Sequence, residues 1–192
     1  MKRLLVALVG LFTALSFSSC GYNTMVSKDE NVKAKWAQVE NVYQRRADLI
    51  PNLVATVKGA AQHEQGTLTA VVEARAKATS VNIDPADLSE ESIAKFQQAQ
   101  DELSGSLSRL LVSVEAYPDL KANTNFQELQ AQLEGTENRI TVERKAYNDA
   151  VQDYNTSVRS FPNNIMAGIF GFKAKGTFTA AAGSDKAPTV SF

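Results

Sequence analysis

The chain has 192 residues, 44% of them apolar, with Lys+Arg 20 against Asp+Glu 21, one His and one Cys. That length supports one domain with a sizeable core. The near-neutral balance, with no basic stripe interleaved with aromatics, speaks against a nucleic-acid partner, and a single cysteine excludes an intrachain disulfide or a Cys-based zinc cluster.

Lys2 and Arg3 open the chain, an uncharged and mostly apolar run covers 4–17, and Ser18-Ser19 places small residues directly before Cys20. This order of charged, apolar and small residues is that of a signal peptide over 1–19. Small residues followed by Cys resemble the bacterial lipoprotein signal, in which the thiol is acylated and the cysteine becomes the new N-terminus. Phe17 departs from the Leu more usual at that place. Each buried methylene contributes about 0.8 kcal/mol, so two or three acyl chains, palmitate among them, hold a domain firmly at a membrane. Residues 20–28 then serve as attachment point and short linker. The alternative is an uncleaved membrane helix, because no charge recurs before Lys28. Either reading sends residues 29 onward out of the cytoplasm. Loss of Lys2 and Arg3 would leave 18 basic against 21 acidic residues, a charge near −3.

From Asp29 on, apolar residues recur at helical spacing. Val32, Trp36, Val39 and Tyr43 form one stripe, and Ile50, Leu53, Val57 and Ala60 continue its phase beyond Arg46. A second stripe runs Ile93, Phe96, Gln100, Leu103, Leu107, Leu110, Val114; a third runs Phe126, Leu129, Leu133, Thr136, Ile140, Tyr147, Val151, Tyr154, Val158. No segment alternates like a strand. The pattern predicts an all-α fold, an elongated antiparallel up-and-down four-helix bundle over 29–178. The helices are expected at about 29–46, 49–80, 89–116 and 124–160. Ser89 with Glu90 and Glu91 marks a helix start; Tyr117-Pro118 ends that helix. Thr124 with Gln127 suits a capping box for the last helix, which Phe161-Pro162 closes. Pro51 motivates the break after residue 46: with Asp48 as cap, the proline falls in a first turn, where no N–H partner is lost. The stripe nevertheless keeps its phase through that point, so three helices with a long kinked first helix, 29–80, is the alternative. The apolar segment Ile165, Met166, Ile169, Phe170 and Phe172 is expected to pack over one end of the bundle, with membrane or partner contact as the sharper reading. The tail 179–192, rich in Ala, Gly and Ser, is expected to be flexible.

Signatures of catalysis are sparse. His63 is the only histidine, and Thr67 stands where a zinc protease would place its second; a di-iron bundle needs two Glu-x-x-His pairs. Ser92 and Lys95 match Ser-x-x-Lys without the accompanying elements. No cofactor is implied. A different set stands out: Arg46 on an apolar seam with Asp48 and Asn52 beside it, Arg75 on the seam's continuation, and Tyr147-Asn148 and Tyr154-Asn155 one heptad apart on one face. Buried polar groups must be paired, so these eight residues are candidates for an internal network that fixes helix register, or for a recognition surface.

The stretches RRADLIPNLVATVKG (45–59), EAR (73–75), LSGSLSRLL (103–111), EAYPDLKAN (115–123), TENRI (136–140), YNDAVQDYN (147–155) and FPNNIMAGIFGF (161–172) together resemble the LemA family. The resemblance covers nearly everything from Tyr22 to Phe178. It implies an elongated bundle held at the membrane by its N-terminus, with no established enzymatic activity or cofactor, and it carries over no catalytic residues. Many members of that family look like proteins with an uncleaved N-terminal helix; Cys20 suggests a lipid here. These readings lead to a non-enzymatic module of the cell envelope that meets other envelope proteins. The alternative is a sensor or carrier that holds a small ligand between Arg46, Arg75 and the tyrosines.

Overall fold

The computed structural model describes residues 2–60 and 65–180, with side chains from Gly21 onward except that of Ala60. The chain order is α1 (Lys2–Ala60), α2 (Gln65–Ser80), α3 (Glu90–Val114), α4 (Pro118–Lys121), α5 (Thr124–Arg159) and α6 (Asn163–Phe170). No strand occurs among the described residues. The stripes account for the packing: an apolar face wider than a coiled-coil seam must be covered by neighbouring helices. The α1 and α5 helices form the longest pairing. They run antiparallel, since Lys28 meets Asp153 at 2.5 Å and Arg46 meets Glu137 at 2.6 Å. The α2 helix folds back on the far part of α1 and is itself paired with α3. At about 1.5 Å per residue, the 36 residues of α5 span roughly 54 Å, so the bundle is a rod.

Three expectations about helix ends need correction. The break at Asp48 does not exist: α1 is helical through Pro51 and ends at Ala60, and α2 begins at Gln65. The long 29–80 helix is not found either, because Arg75 of α2 reaches back to Ala47 of α1. His63 lies in 61–64, outside the described residues. The cap of α5 is Asn123 rather than Thr124, its side chain accepting from the Phe126 N–H at 3.2 Å. Ser89 does cap α3, accepting from the Ser92 N–H.

The core has two apolar compartments. One holds Trp36, Tyr43, Phe96, Ile140, Tyr147, Val151, Tyr154 and Phe178; the other holds Ile50, Leu53, Val57, Leu68, Val71, Leu103, Leu107, Leu110, Phe126 and Leu133. In the first, Trp36 meets Phe96 and Tyr147 edge-on at 5.1 and 5.5 Å and stacks on Phe178, the ring geometries favoured by aromatic quadrupoles. After α6, residues 172–180 run extended along the bundle rather than away from it. Within the apolar segment, Met166, Ala167 and Phe172 pack on the first compartment. Ile165, Ile169 and Phe170 stay exposed.

Candidate functional site

Between the two compartments lies a polar layer centred on Arg46, a fully buried side chain. Its Nη1 donates to Ser104 Oγ at 2.7 Å and Glu137 Oε1 at 2.6 Å; its Nη2 donates to the Gln100 carbonyl at 3.2 Å and Gln100 Oε1 at 2.6 Å. Gln100 in turn donates to the Ala78 carbonyl at 3.4 Å, so α1, α2, α3 and α5 meet in one cluster. Tyr43 lies under the guanidinium, 5.0 Å from its centre to the ring centroid. Only the Nε–H lacks an acceptor among the described residues. A buried cation with one carboxylate and several neutral acceptors is paired well enough to be held, and its geometry fixes how four helices stand against one another.

Arg75 resolves the Pro51 paradox. A proline at 51 has no N–H to give the carbonyl of Ala47, four residues earlier, and an unmet buried carbonyl bends or breaks a helix. Ala47 is buried, and Arg75 Nε donates to its oxygen at 2.7 Å. The missing intrahelical bond is replaced by a charged donor from α2. The replacement also locks α2 against α1.

The Tyr-Asn pairs of α5 do something different: they grip the extended segment after α6 by its backbone. Tyr154 Oη donates to the Lys173 carbonyl and Tyr147 Oη to the Gly176 carbonyl, both at 3.0 Å. Asn155 pairs in both directions with Lys175: Nδ2 donates to its carbonyl at 2.9 Å, and Oδ1 accepts from its N–H at 2.8 Å. Asn148 repeats the arrangement on Phe178, both bonds at 2.9 Å. Gln97 of α3 does so on Thr179, at 3.0 and 3.1 Å. An amide side chain carries a donor NH2 and an acceptor oxygen side by side, so it can satisfy both polar groups of one residue. The heptad spacing of the α5 pairs brings them round to the same face. Phe178 fills the pocket so formed, with Arg144 over its ring at 4.6 Å. Gly176 passes so close to α3 that an added Cβ would stand 2.6 Å from Glu90 Cα. Lys175, nearly buried, pairs with Asp29 at 2.9 Å beneath Tyr154.

Burial raises the Tyr147 phenol well above its ordinary range and pushes that of Tyr154 up to about 12, with Asp29 adding to the latter. Burial would raise the Asp29 carboxyl as well, but Lys33 and Lys175 outweigh it and hold it below its ordinary value.

The expected set thus divides into three. Arg46 sits in the layer, Arg75 at the α1–α2 junction, and Tyr147, Asn148, Tyr154 and Asn155 in the clasp. Asp48 and Asn52 join none of them: both are exposed on α1, Asp48 accepting from Gln44 at 2.8 Å. The Cys20 side chain lies outside the described residues. Ser92 bonds Ser89 in the α3 cap and Lys95 pairs with Glu91, so the Ser-x-x-Lys pair belongs to a helix start. Gln97, Glu137, Gly176 and Phe178 went unread in the sequence. Gln100 had a signal, a polar residue in an apolar stripe, as did Arg46; Glu137, one place off its stripe, had none.

The sequence model of the LemA family matches residues 35–192. The chain belongs to the LemA family. No curated protein matches it. The matched span contains the layer, the Pro51–Arg75 junction and the whole clasp, so this LemA-family chain carries all three within the family's own region. Among the described residues no helix is long and apolar enough to cross a membrane, and no group of three His, Cys, Asp or Glu stands close enough to hold a metal ion.

Proposed function

We propose that this LemA-family chain is a bacterial cell-envelope module, anchored at the membrane through a lipid on Cys20, which works without catalysis by holding a stiff rod out toward other envelope proteins. The observation that carries this reading is the engagement of its unusual polar side chains. Arg46, Arg75, Tyr147, Asn148, Tyr154 and Asn155 each bind a protein acceptor or donor on a different element. Groups engaged in this way stiffen a scaffold; a reacting centre needs a nucleophile or base aimed at open space. The cleft nearest the Arg46 layer, lined by Glu40, Tyr43, Gln44, Ala47, Ala78 and Gln100, measures about 190 Å³. Small-molecule pockets usually begin at about 300 Å³. The cleft of about 400 Å³ beside Tyr154 is large enough but is lined by neither Arg46 nor Arg75, so it does not join the residues the carrier reading needs.

Two measurements test the proposal. Intact mass of the native protein is expected to show loss of residues 1–19 and acyl mass that disappears in Cys20→Ser; retention of Met1 with no acyl mass would overturn the lipid anchor. Crosslinking in whole cells followed by detergent extraction is expected to join the rod to other envelope proteins. Recovery of the chain only with itself, at native abundance, would count against the interaction role.

A further inference from the structure

We infer that the outer face of α6, together with Phe161, is a membrane-contact surface that lays the base of the rod onto the lipid bilayer; this rests on the N-terminal anchoring just proposed. Phe161, Ile165, Ile169 and Phe170 are between 54% and 82% exposed, an unusual cluster of large apolar side chains in a chain that buries its other apolar stripes well. Scattered exposed apolar residues need no explanation, but a contiguous patch does. The helix is not loosely attached. Met166, Ala167 and Phe172 pack inward on the core, and Gly171 closes the helix in the left-handed conformation at φ 76°. Its apolar residues therefore divide into an inner set that fixes it and an outer set that stays exposed among the described residues, Phe170 meeting the Tyr22 ring at one edge.

Its position identifies the occupant. Asn163 abuts Gly21, where an added Cβ would come 2.6 Å from its side-chain oxygen. The Tyr22 ring lies 4.8 Å from Phe170 and 5.7 Å from Phe172. Tyr22 follows Cys20 by two residues, a rise of about 3 Å along a helix. A chain held by acyl groups on Cys20, or by the apolar run 4–17, brings Tyr22 and hence α6 to the headgroup boundary. There, half-buried apolar faces and tyrosines are at home. The charge agrees: residues 154–184 contain Arg159, Lys173 and Lys175 and no acidic residue. Arg159 and Lys173 are exposed, and cations beside an apolar face favour anionic lipid. The exposed Val112, near the end of α3, lies at the rod's far end and has no such neighbours.

The test uses the full chain, expressed with its own leader, purified from membranes and reconstituted in vesicles of about three parts phosphatidylcholine to one of phosphatidylglycerol, with or without lipids brominated near the headgroup end of the chain. Trp36, the single tryptophan, is fully buried and sets the baseline. In Ile169→Trp the new indole is expected to shift its emission to the blue on reconstitution and to lose most of its added intensity to brominated lipid, while Val112→Trp loses none. Ile165→Trp reports the same face should Ile169→Trp fail to fold. A chain that floats with the vesicles but shows no quenching at either α6 position overturns this inference and leaves the anchor standing. A chain that does not float overturns both.

Discussion

Replacing Arg75 by Met removes one donor and keeps most of the stem, and its cost depends on what stands at position 51. In the wild type, the Ala47 carbonyl, on a residue 3% exposed, accepts from Arg75 Nε at 2.7 Å in place of the N–H that Pro51 lacks. A hydrogen bond from a charged donor contributes about 1.5–3 kcal/mol, and stranding a buried carbonyl costs a similar amount. Arg75→Met is therefore expected to lower the unfolding free energy by about 1.5–3 kcal/mol. Pro51→Ala restores the intrahelical N–H and removes a residue that costs about 3 kcal/mol in a helix interior, so alone it is expected to stabilise. In that background the carbonyl has an intrahelical partner whether or not Arg75 is present, and Arg75→Met should cost only about 0.5–1.5 kcal/mol, an ordinary surplus bond. Denaturant unfolding of the four proteins in detergent, followed by helical ellipticity, gives the coupling, provided the slope with denaturant stays constant. A coupling of about 1 kcal/mol or more is expected, since both residues serve one acceptor. Equal losses in the two backgrounds, within about 0.5 kcal/mol, would refute the idea that the arginine substitutes for the proline's missing N–H.

Gly176→Ala places a Cβ 2.6 to 2.9 Å from backbone atoms of Glu90 and Ser89, which cannot yield as a side-chain tip can; a loss of about 1–3 kcal/mol, read as a lower thermal midpoint, is expected, and an unchanged midpoint would mean the segment does not lie there. Asn148→Asp keeps the acceptor for the Phe178 N–H but sets an anion against the Phe178 carbonyl. It should cost about 1–3 kcal/mol at neutral pH and less, relative to wild type, below pH of about 4, where the protonated acid donates again. At alkaline pH the folded form keeps Tyr154 protonated up to about 12, and Tyr147 likewise above its ordinary 10.0, while the unfolded chain ionises near 10.0. The stabilisation is thus complete below pH 10 and lost as pH rises through 12, so phenolate absorbance at these sites should appear together with loss of ellipticity; phenolates titrating near 10 in an intact fold would contradict it. The sign is reversed for Asp29: its depressed pKa stabilises above 3.8 and is lost as pH falls below that value, a loss that Asp29→Asn should abolish in acid unfolding curves.

The all-helical fold was legible because three long stripes persist at one period, and periodicity is a property of the chain itself. Pro51 misled because the rule against interior proline is local, whereas the donor that satisfies Ala47 comes from Arg75, 28 residues away. The choice of Thr124 over Asn123 was a contest between adjacent residues, both able to cap, which only backbone geometry settles. Arg46 could be read as an anomaly on an apolar seam, but its ring of partners could not, since Ser104 and Glu137 are ordinary helix-surface letters until two further helices turn them inward. The Tyr-Asn repeat was visible as a face; what it holds was not. An extended segment of Lys, Gly, Thr and Phe has no helical period, and its fit depends largely on backbone groups common to every residue, with Lys175, Gly176 and Phe178 as letters the groove selects.

The polar layer at Arg46 divides the molecule into two stretches that are fastened unequally. The stretch nearer Tyr22 has the aromatic compartment and is stitched by six side chains, Arg144 among them, to the backbone of the segment that runs back along it. The far stretch, around Leu53, Val71 and Leu110, rests mainly on apolar contact, with its long-range polar ties, Arg75 to Ala47 and Lys77 to Glu102, close to the layer. Under heat or mechanical load the molecule should therefore fray from its outer tip inward, like a mast that loses its top before its footing, with the Arg46 cluster as the line at which the fraying halts.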